Sequence, residues 1–382
     1  MHIPLDYMTL RMIWWGLLGV LLIGFAIADG FDLGVAALLP FVARTDGERR
    51  MVINTIGPTW EGNQVWFILG GGAIFAAWPF VYAVSFSGFY LAMFAVLASL
   101  TLRPVGFKYR SKRPSKVWRT SWDYALFVGG FAPALVFGVA VGNVLLGVPF
   151  RLDSDLRSAY TGTFFGLFTP FSLVCGLMSV AMLVLHGSSW LTLKAEHGVV
   201  RDRARQFGLG AGLLALILFA VGYLFVSQAG LGYHLQSVSD LSGPSNPIRS
   251  TTHPAAGAWL SNFARYPWMW AGPALGFIGI LMAMAGLSKG MEVLAFGGSG
   301  LATFGIISTV GLSMFPYILP SSIDQHSSLT VWNASSSHIT LFIMLIVTVI
   351  FLPMVLAYTS WVYSVLFGRS TEADLATNPD LY

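Results

Sequence analysis

Charged residues are scarce in this sequence. Of its 382 residues only 10% are Asp, Glu, Lys or Arg, whereas 55% are hydrophobic. Soluble globular proteins carry about 25% charged residues, so this composition excludes an ordinary soluble fold. The apolar residues lie in long runs, which are typical of membrane-spanning helices. We therefore predict an all-α polytopic membrane protein.

Cysteine is nearly absent as well. The single residue, Cys175, lies inside an apolar run, so an internal disulfide and a cysteine metal cluster are both excluded. The sequence also lacks a phosphate-binding glycine motif, an HExxH pattern and a serine nucleophile elbow. Its N-terminal apolar run has no small-x-small cleavage site, and we expect it to stay attached. These absences direct attention to the few charged residues inside the apolar runs.

Hydropathy predicts nine spans in a single transmembrane domain that covers residues 1–382. The spans cover about residues 10–41, 54–77, 79–102, 122–145, 163–186, 206–228, 267–288, 291–314 and 337–366. The longest connection, about 229–266, is rich in Ser, Gly, Pro and Asn and is predicted to be a loop. No connection has the composition of a soluble domain.

Basic residues are distributed unevenly between the two sides of these spans. The connections after spans one, three, five and seven, together with the C-terminal tail, hold most of the 21 Lys and Arg residues: Arg44, Arg49, Arg50, Arg103, Lys108, Arg110, Lys112, Arg113, Lys116, Arg119, Lys194, Arg201, Arg203, Arg205, Lys289 and Arg369. The other side holds Arg11, Arg151, Arg157, Arg249 and Arg265. Since cytoplasmic loops carry the excess of Lys and Arg, we predict a periplasmic N-terminus and a cytoplasmic C-terminus.

Two aspartates lie in the middle of the first span. Between Arg11 and Arg44 the only charged residues are Asp29 and Asp32. A helix over this stretch would be roughly 48 Å long, so both acids fall deep inside a hydrocarbon core of about 30 Å. An aspartate there costs about 2.5–3.5 kcal/mol, and such residues face a polar interior. Their i to i+3 spacing places both on one helix face, with Gly30 between them leaving room for a neighbour or a water.

A third acid follows in the next span. Glu61 is expected one to two turns inside it, at roughly 10 Å depth, with Gln64 on the same face. Asp29, Asp32 and Glu61 would then form a ladder of carboxyls from the cytoplasm toward mid-membrane, which suits a proton path. The alternative is that these acids only form hydrogen bonds between helices and hold the bundle together. The residues leave both interpretations open.

No histidine is expected in the middle of a span. His186 falls at the cytoplasmic end of span five and His338 at the outer end of span nine, whereas the others lie in termini or loops. Haem iron is commonly held by histidine, so a haem bound within this chain is disfavoured. Trp66, one turn beyond Glu61, is interpreted as a packing residue rather than a gate. No metal site is predicted.

Blocks of unusual composition run through the whole chain. They are Trp14-Trp15 and residues 24–34 (GFAIADGFDLG), 60–66 (WEGNQVW), 75–79 (FAAWP), 86–90 (FSGFY), 103–110 (RPVGFKYR), 142–150 (GNVLLGVPF), 314–322 (MFPYILPSS), 328–332 (SLTVW) and 381–382 (LY). Together these motifs resemble subunit II of the cytochrome bd quinol oxidases of bacteria. The resemblance spans essentially the entire sequence and includes the segments that carry the acids.

The resemblance implies a subunit of a heterodimeric oxidase of the bacterial inner membrane, which oxidises quinol and reduces oxygen to water. It implies nine spans arranged as two four-helix bundles plus one peripheral helix, paired with subunit I about a pseudo-twofold axis. Three haems, two of b type and one of d type, and the quinol-oxidising loop are expected in subunit I. A very small third subunit is expected as well, and a quinone bound to this chain is left open.

The resemblance also implies roles for individual residues. Asp29, Asp32 and Glu61 would carry protons from the cytoplasm toward the oxygen-reducing haem of the partner, so that the reaction builds a proton gradient without a pump. An oxygen route would begin near Trp66. On composition and acids alone, a proton-coupled secondary transporter explains the sequence equally well, and only the motif blocks argue against it.

Overall fold

Long apolar helices make up most of the computed structural model, which describes residues 3–228, 230–237 and 240–371. The α-helices are α1 (Tyr7–Val42), α2 (Asp46–Asn54), α3 (Trp60–Ala77), α4 (Pro79–Gly88), α5 (Tyr90–Tyr109), α6 (Lys116–Leu146), α7 (Pro170–Lys194), α8 (Val199–Gln228), α9 (Ser261–Arg265), α10 (Ala271–Lys289), α11 (Glu292–Met314) and α12 (His338–Val365). Within the described ranges, eight helices are long and apolar enough to cross a membrane, and the pair α3 and α4, bent by 120°, forms a ninth candidate. This confirms the all-α polytopic fold. The motif at 381–382 lies outside the described residues.

The third predicted span, 79–102, is not one helix. It is divided at Phe89 into α4 and α5, and α5 continues seven residues beyond the predicted end, to Tyr109. Pro104 lies inside this extension without ending the helix. Arg103 lowers the hydropathy there, so the apolar run ends at 102 although the helix continues and remains partly buried.

The fifth predicted span, 163–186, is displaced along the sequence. The helix begins at Pro170, where the Thr169 side chain accepts a hydrogen bond from the backbone and caps the first turn, and it ends at Lys194. Proline is favoured at the first helical position because it has no N–H to leave unpaired. Hydropathy does not detect this cap, so the predicted start is seven residues too early. The predicted end is eight residues too early.

The second half of α1 lies at the centre of the helix set. α1 contacts α3, α6, α7 and α11, and every residue from Asp29 to Leu39 is buried. A methyl group on Gly34 would lie 1.9 Å from the Leu183 carbonyl oxygen, and one on Gly187 would lie 2.5 Å from the Gly34 carbonyl carbon. α1 and α7 therefore touch backbone to backbone, which only small residues permit.

α12 lies at the periphery. Leu341 is its only buried residue, although the whole helix is described. The Trp14 indole of α1 donates to the Leu341 carbonyl oxygen at 2.9 Å and fixes the first part of α12. A peripheral helix agrees with the predicted architecture, while the division of the other helices into two four-helix bundles stays a prediction.

Three short antiparallel strand pairs lie at one end of the helices, the hairpin end. They are β1 (Phe150–Leu152) with β2 (Ser158–Tyr160), β3 (Tyr233–Ser237) with β4 (Thr251–Pro254), and β5 (Tyr317–Leu319) with β6 (Leu329–Thr330). The fully buried Arg11 of α1 ties this end together, because its guanidinium donates to Ser335 Oγ at 2.8 Å and to the Leu241 carbonyl oxygen at 2.7 Å. Within the predicted 229–266 loop, β3 and β4 form one of these strand pairs.

Ion pairs lie at the opposite end of the helices, where α1 ends, and we call this the charged end. Glu48 of α2 pairs with Arg203 of α8 at 3.0 Å, and Arg203 also donates to the Val42 carbonyl oxygen. Glu292 of α11 accepts hydrogen bonds from Arg201 of α8 and from Arg369, which follows α12. These contacts join four helices and the segment after α12 at one end of the molecule.

Candidate functional site

Asp29 and Asp32 share a face of α1, as their spacing predicts, and both side chains are fully buried. Arg103 of α5 faces them. Its Nη1 and Nη2 donate to Asp29 Oδ2 at 3.0 Å and to Asp29 Oδ1 at 2.7 Å, which makes a bidentate pair. Nη2 also lies 3.8 Å from Asp32 Oδ2. These three residues form the central cluster.

The sequence prediction assigned Arg103 to a cytoplasmic connection, and this is wrong. The side chain is 0% exposed, because α5 carries it past the predicted end of the span. The charge balance of the buried residues is the signal that could have predicted the burial of Arg103. Two buried acids need a cation nearby, and Arg103 is the first basic residue after Arg50 in the sequence.

Asp32 has a second polar neighbour in Asn63 of α3. Asn63 Nδ2 donates to Asp32 Oδ2 at 2.8 Å, and the Tyr363 hydroxyl of α12 donates to Asn63 Oδ1 at 2.7 Å. A hydrogen-bonded row thus connects the central helix with the peripheral one. Sequence reasoning missed both residues, since Asn63 stands out only as part of the motif at 60–66 and Tyr363 carries no local signal.

The central cluster contains more acid than base. Two carboxylates and one guanidinium leave one negative charge in excess when all three are ionised. Arg103 satisfies both oxygens of Asp29, whereas Asp32 Oδ1 and Arg103 Nε have no hydrogen-bond partner in the described part of the chain. A buried polar atom without a partner costs about 1–3 kcal/mol, and an unpaired buried charge costs more. One proton on Asp32 removes the excess charge, so the arrangement can hold one exchangeable proton there.

Glycines on α1 admit two neighbouring side chains. Trp66 of α3 is 7% exposed, and a methyl group on Gly24 would lie 2.7 Å from Trp66 Cε3. This close contact agrees with the packing interpretation, while the oxygen route near Trp66 stays a prediction. At Gly30 the neighbour is Leu183, whose Cδ2 would lie 2.8 Å from an added methyl group. Of the predicted neighbour or water, it is a neighbour, the apolar Leu183 side chain, that occupies the space beside Gly30.

Glu61 does not join the central cluster. It is the second residue of α3 and is exposed, whereas Asn63, two residues further along, is buried and contacts Asp32. The predicted depth of one to two turns is wrong, because α3 begins only at Trp60. A carboxylate in a first turn is favoured by the helix dipole. The expected ladder of three carboxyls does not form within this chain.

His186 is buried inside α7, eight residues before its end, rather than at a helix terminus. Its Nε2 lies 2.9 Å from the Ile27 carbonyl oxygen and its Nδ1 lies 2.8 Å from Ser299 Oγ. His338 Nε2 lies 2.7 Å from the Leu5 carbonyl oxygen. These bonded nitrogens do not fit an axial haem ligand. Across residues 3–371, apart from the gaps at 229 and 238–239, no three His, Cys, Asp or Glu side chains are placed to hold a metal ion.

Comparison with known proteins gives the same family at every level of similarity. The pattern of the cytochrome bd terminal oxidase subunit II family matches residues 10–366. The chain is 48% identical over 374 residues to cytochrome bd-I ubiquinol oxidase subunit 2 of Escherichia coli K12, covering 98% of each protein. It is 48% identical over 365 residues to a probable cytochrome oxidase subunit 2 of Haemophilus influenzae, covering 96% of each.

More distant relatives agree. Cytochrome bd ubiquinol oxidase subunit 2 of Bacillus subtilis is 29% identical over 369 residues, which cover 97% of this chain and 99% of that one. A chain in the solved structure of the bd oxidase from Geobacillus thermodenitrificans superposes with a TM-score of 0.68 at 15% identity, covering 94% of this chain and 99% of that chain. At this identity the likeness shows the fold alone. With a family pattern that matches most of its length, the chain belongs to the cytochrome bd terminal oxidase subunit II family.

Proposed function

We propose that this chain is the non-haem subunit of a cytochrome bd quinol:oxygen oxidoreductase in the bacterial inner membrane. It pairs with the haem-bearing subunit I and supplies protons from the cytoplasm for the reduction of oxygen to water. The names of the E. coli and B. subtilis relatives, both ubiquinol oxidase subunits 2, support this assignment and favour it over a proton-coupled transporter. Haem b and haem d are assigned to subunit I, because His186, the one buried histidine in the described part of the chain, has both ring nitrogens bonded.

The charged end is proposed to face the cytoplasm. It holds the connections that are richest in Lys and Arg, and cytoplasmic loops carry such an excess. The N-terminus is then periplasmic and the C-terminus cytoplasmic. Nine crossings, with α3 and α4 counted as one, support termini on opposite sides of the membrane.

The excess acid of the central cluster is the observation that carries the proton role. Arg103 donates a hydrogen bond to each oxygen of Asp29, whereas Asp32 keeps one oxygen without a partner, so Asp32 is the acid that takes up and releases the proton. The haems of subunit I supply the electron chemistry. Reduction of one oxygen molecule to two waters consumes four protons, and drawing them from the cytoplasm makes the reaction electrogenic. Protons pass through this chain and electrons do not.

We assign Glu61 the role of taking up protons from the cytoplasm at the surface of α3. The exposed face that begins at Glu61 continues with Val65 and Ile68, which are 41% and 67% exposed. An apolar face with a carboxyl at its cytoplasmic end suits contact with subunit I. The route from Glu61 then follows that contact rather than the interior of this chain. A small third subunit, a bound quinone and the oxygen route near Trp66 stay predictions.

Replacement of Asp32 by Asn in the assembled complex tests the proton role. Asn keeps the size of the side chain but cannot carry a proton, so we expect quinol-driven oxygen consumption per haem to fall about tenfold or more. The haem absorbance spectrum should stay normal, and Glu61→Gln should have a smaller effect. Asp123→Asn changes a buried carboxylate at the charged end and is the matched control. Full turnover in Asp32→Asn removes the proposed role, whereas loss of the haems supports a purely structural acid.

A further inference from the structure

The row of Asp32, Asn63 and Tyr363 reaches from the centre of the helix set to the last turn of α12. Both hydrogen bonds point the same way, since Tyr363 donates to Asn63 and Asn63 donates to Asp32. This direction follows from chemistry. An ionised carboxylate can only accept, so the amide must turn its NH2 toward Asp32 and its oxygen toward the hydroxyl.

The same row can run in the opposite direction. A protonated Asp32 carries an O–H and can donate to Asn63 Oδ1, after which Asn63 Nδ2 donates to the Tyr363 oxygen. The amide needs only a half-turn about its last bond for this change. The Tyr363 hydroxyl is suited to both directions because it is both a donor and an acceptor.

We propose that Asn63 and Tyr363 form a reversible hydrogen-bond clamp, which keeps the Asp32 carboxyl bonded and oriented both with and without its proton. The two residues act as positioning residues, and the inference rests on the proposed proton role of Asp32. Neither the amide nor the phenol carries the transferred proton. The clamp lowers the cost of changing the protonation state at a dry site, where an unpartnered carboxyl oxygen or hydroxyl is expensive.

Two residues of α7 hold the end of α12, and with it Tyr363, close to Asn63. The Lys194 ammonium of α7 donates to the carbonyl oxygens of Leu366 and Gly368 at 2.8 and 3.0 Å, just beyond the end of α12. The Trp190 ring lies 6.3 Å from the Tyr363 ring, centroid to centroid. The charged and titratable groups packed around the Asp32 carboxyl are Asp29 on α1, Arg103 on α5, Tyr363 on α12 behind Asn63 and, turned to the Ile27 backbone, His186 on α7.

Removal of the Tyr363 hydroxyl in the whole complex tests the clamp. We expect Tyr363→Phe to lower kcat about three- to tenfold, which corresponds to one hydrogen bond, and to leave the KM for quinol unchanged. Tyr358→Phe removes a hydroxyl from the same helix at a side chain that is 65% exposed, and it should change neither value. In an Asp32→Asn background, Tyr363→Phe should lower kcat no further, because the clamp acts through Asp32.

An infrared measurement separates positioning from general damage. The carbonyl band of protonated Asp32, identified by its disappearance in Asp32→Asn, should shift in Tyr363→Phe and stay in place in Tyr358→Phe. Wild-type kcat in Tyr363→Phe, or the same fold loss with and without Asp32, overturns the clamp while the proton role stands. Full turnover in Asp32→Asn overturns the proton role itself and the clamp with it.

Discussion

Arg103 and Arg110 lie seven residues apart on and just after α5, and they serve two different ion clusters. Both are buried, with 0% and 2% of the side chain exposed. Arg103 belongs to the central cluster. Arg110 donates through Nε to Asp123 at 2.5 Å and through Nη2 to Asp46 at 2.9 Å. Asp123 and Asp46 also pair with Arg49 and Arg119, and these five residues form the end cluster.

The two clusters differ in charge balance and in contact with water. The central cluster has two acids to one base, and no side chain in it is exposed. The end cluster has three bases to two acids, with Asp46 43% and Arg119 30% exposed. Excess negative charge at a buried site favours a bound proton. Excess positive charge at an exposed end is instead stabilised by the surrounding water. This difference supports the proposed proton role of the central cluster, whereas the ion pairs of the end cluster hold α2, α5 and α6 together.

Removal of Arg103 should have the largest effect on stability. Arg103→Leu leaves two buried carboxylates without a cation, and breaking a buried ion pair in this way costs about 3–5 kcal/mol. The matched change Arg110→Leu should cost less, since Asp46 can turn to solvent and Asp123 keeps Arg49. Thermal unfolding and the yield of assembled complex measure both. Equal losses for the two leucine variants would contradict the distinction between the clusters.

Removal of one buried acid from each cluster should separate the effect on turnover from the effect on stability. Asp123→Asn weakens the pairs with Arg110 and Arg49, and we expect a loss of about 1–3 kcal/mol because each bond is charge-assisted. Oxygen consumption per haem should stay at the wild-type level. Asp32→Asn should show the reverse pattern, with low turnover and a small change in thermal midpoint. Low turnover in an Asp123→Asn complex with normal haem content would assign proton chemistry to the end cluster as well.

Local signals in the sequence predicted the features that depend on local structure. Hydropathy gave the membrane helices, and the i to i+3 spacing placed Asp29 and Asp32 on one buried face, as observed. The site beyond α1 was harder to predict because it depends on where other helices begin and end. α5 extends past its apolar run and brings in Arg103, while α3 begins late and turns Asn63 inward and Glu61 outward.

Tyr363 illustrates a second limit. It lies 300 residues from Asn63 in the sequence and meets it only because α12 packs beside α1 and α3. Composition and periodicity along one helix carry no information about such a contact. The position of His186 shows a related limit, since α7 runs from the Thr169 cap to Lys194 and so places His186 inside the helix rather than at its end.

Glu48, at the charged end, should show the smallest effect and one that depends on pH. Burial raises the pKa of its carboxyl, but hydrogen bonds from the Arg44 and Thr45 amides and from Arg203 together outweigh this and lower the pKa below its usual value of 4.5. A lowered pKa in the folded state stabilises the protein above pH 4.5, and this contribution is lost as the pH falls through the lower folded value. Glu48→Gln should therefore cost about 0.5–1 kcal/mol at neutral pH, since the side chain is only 17% exposed. Thermal midpoints of the two complexes should converge as the solution is acidified below pH 4.5, and a difference that persists or grows there would show that Glu48 acts by packing rather than by its charge.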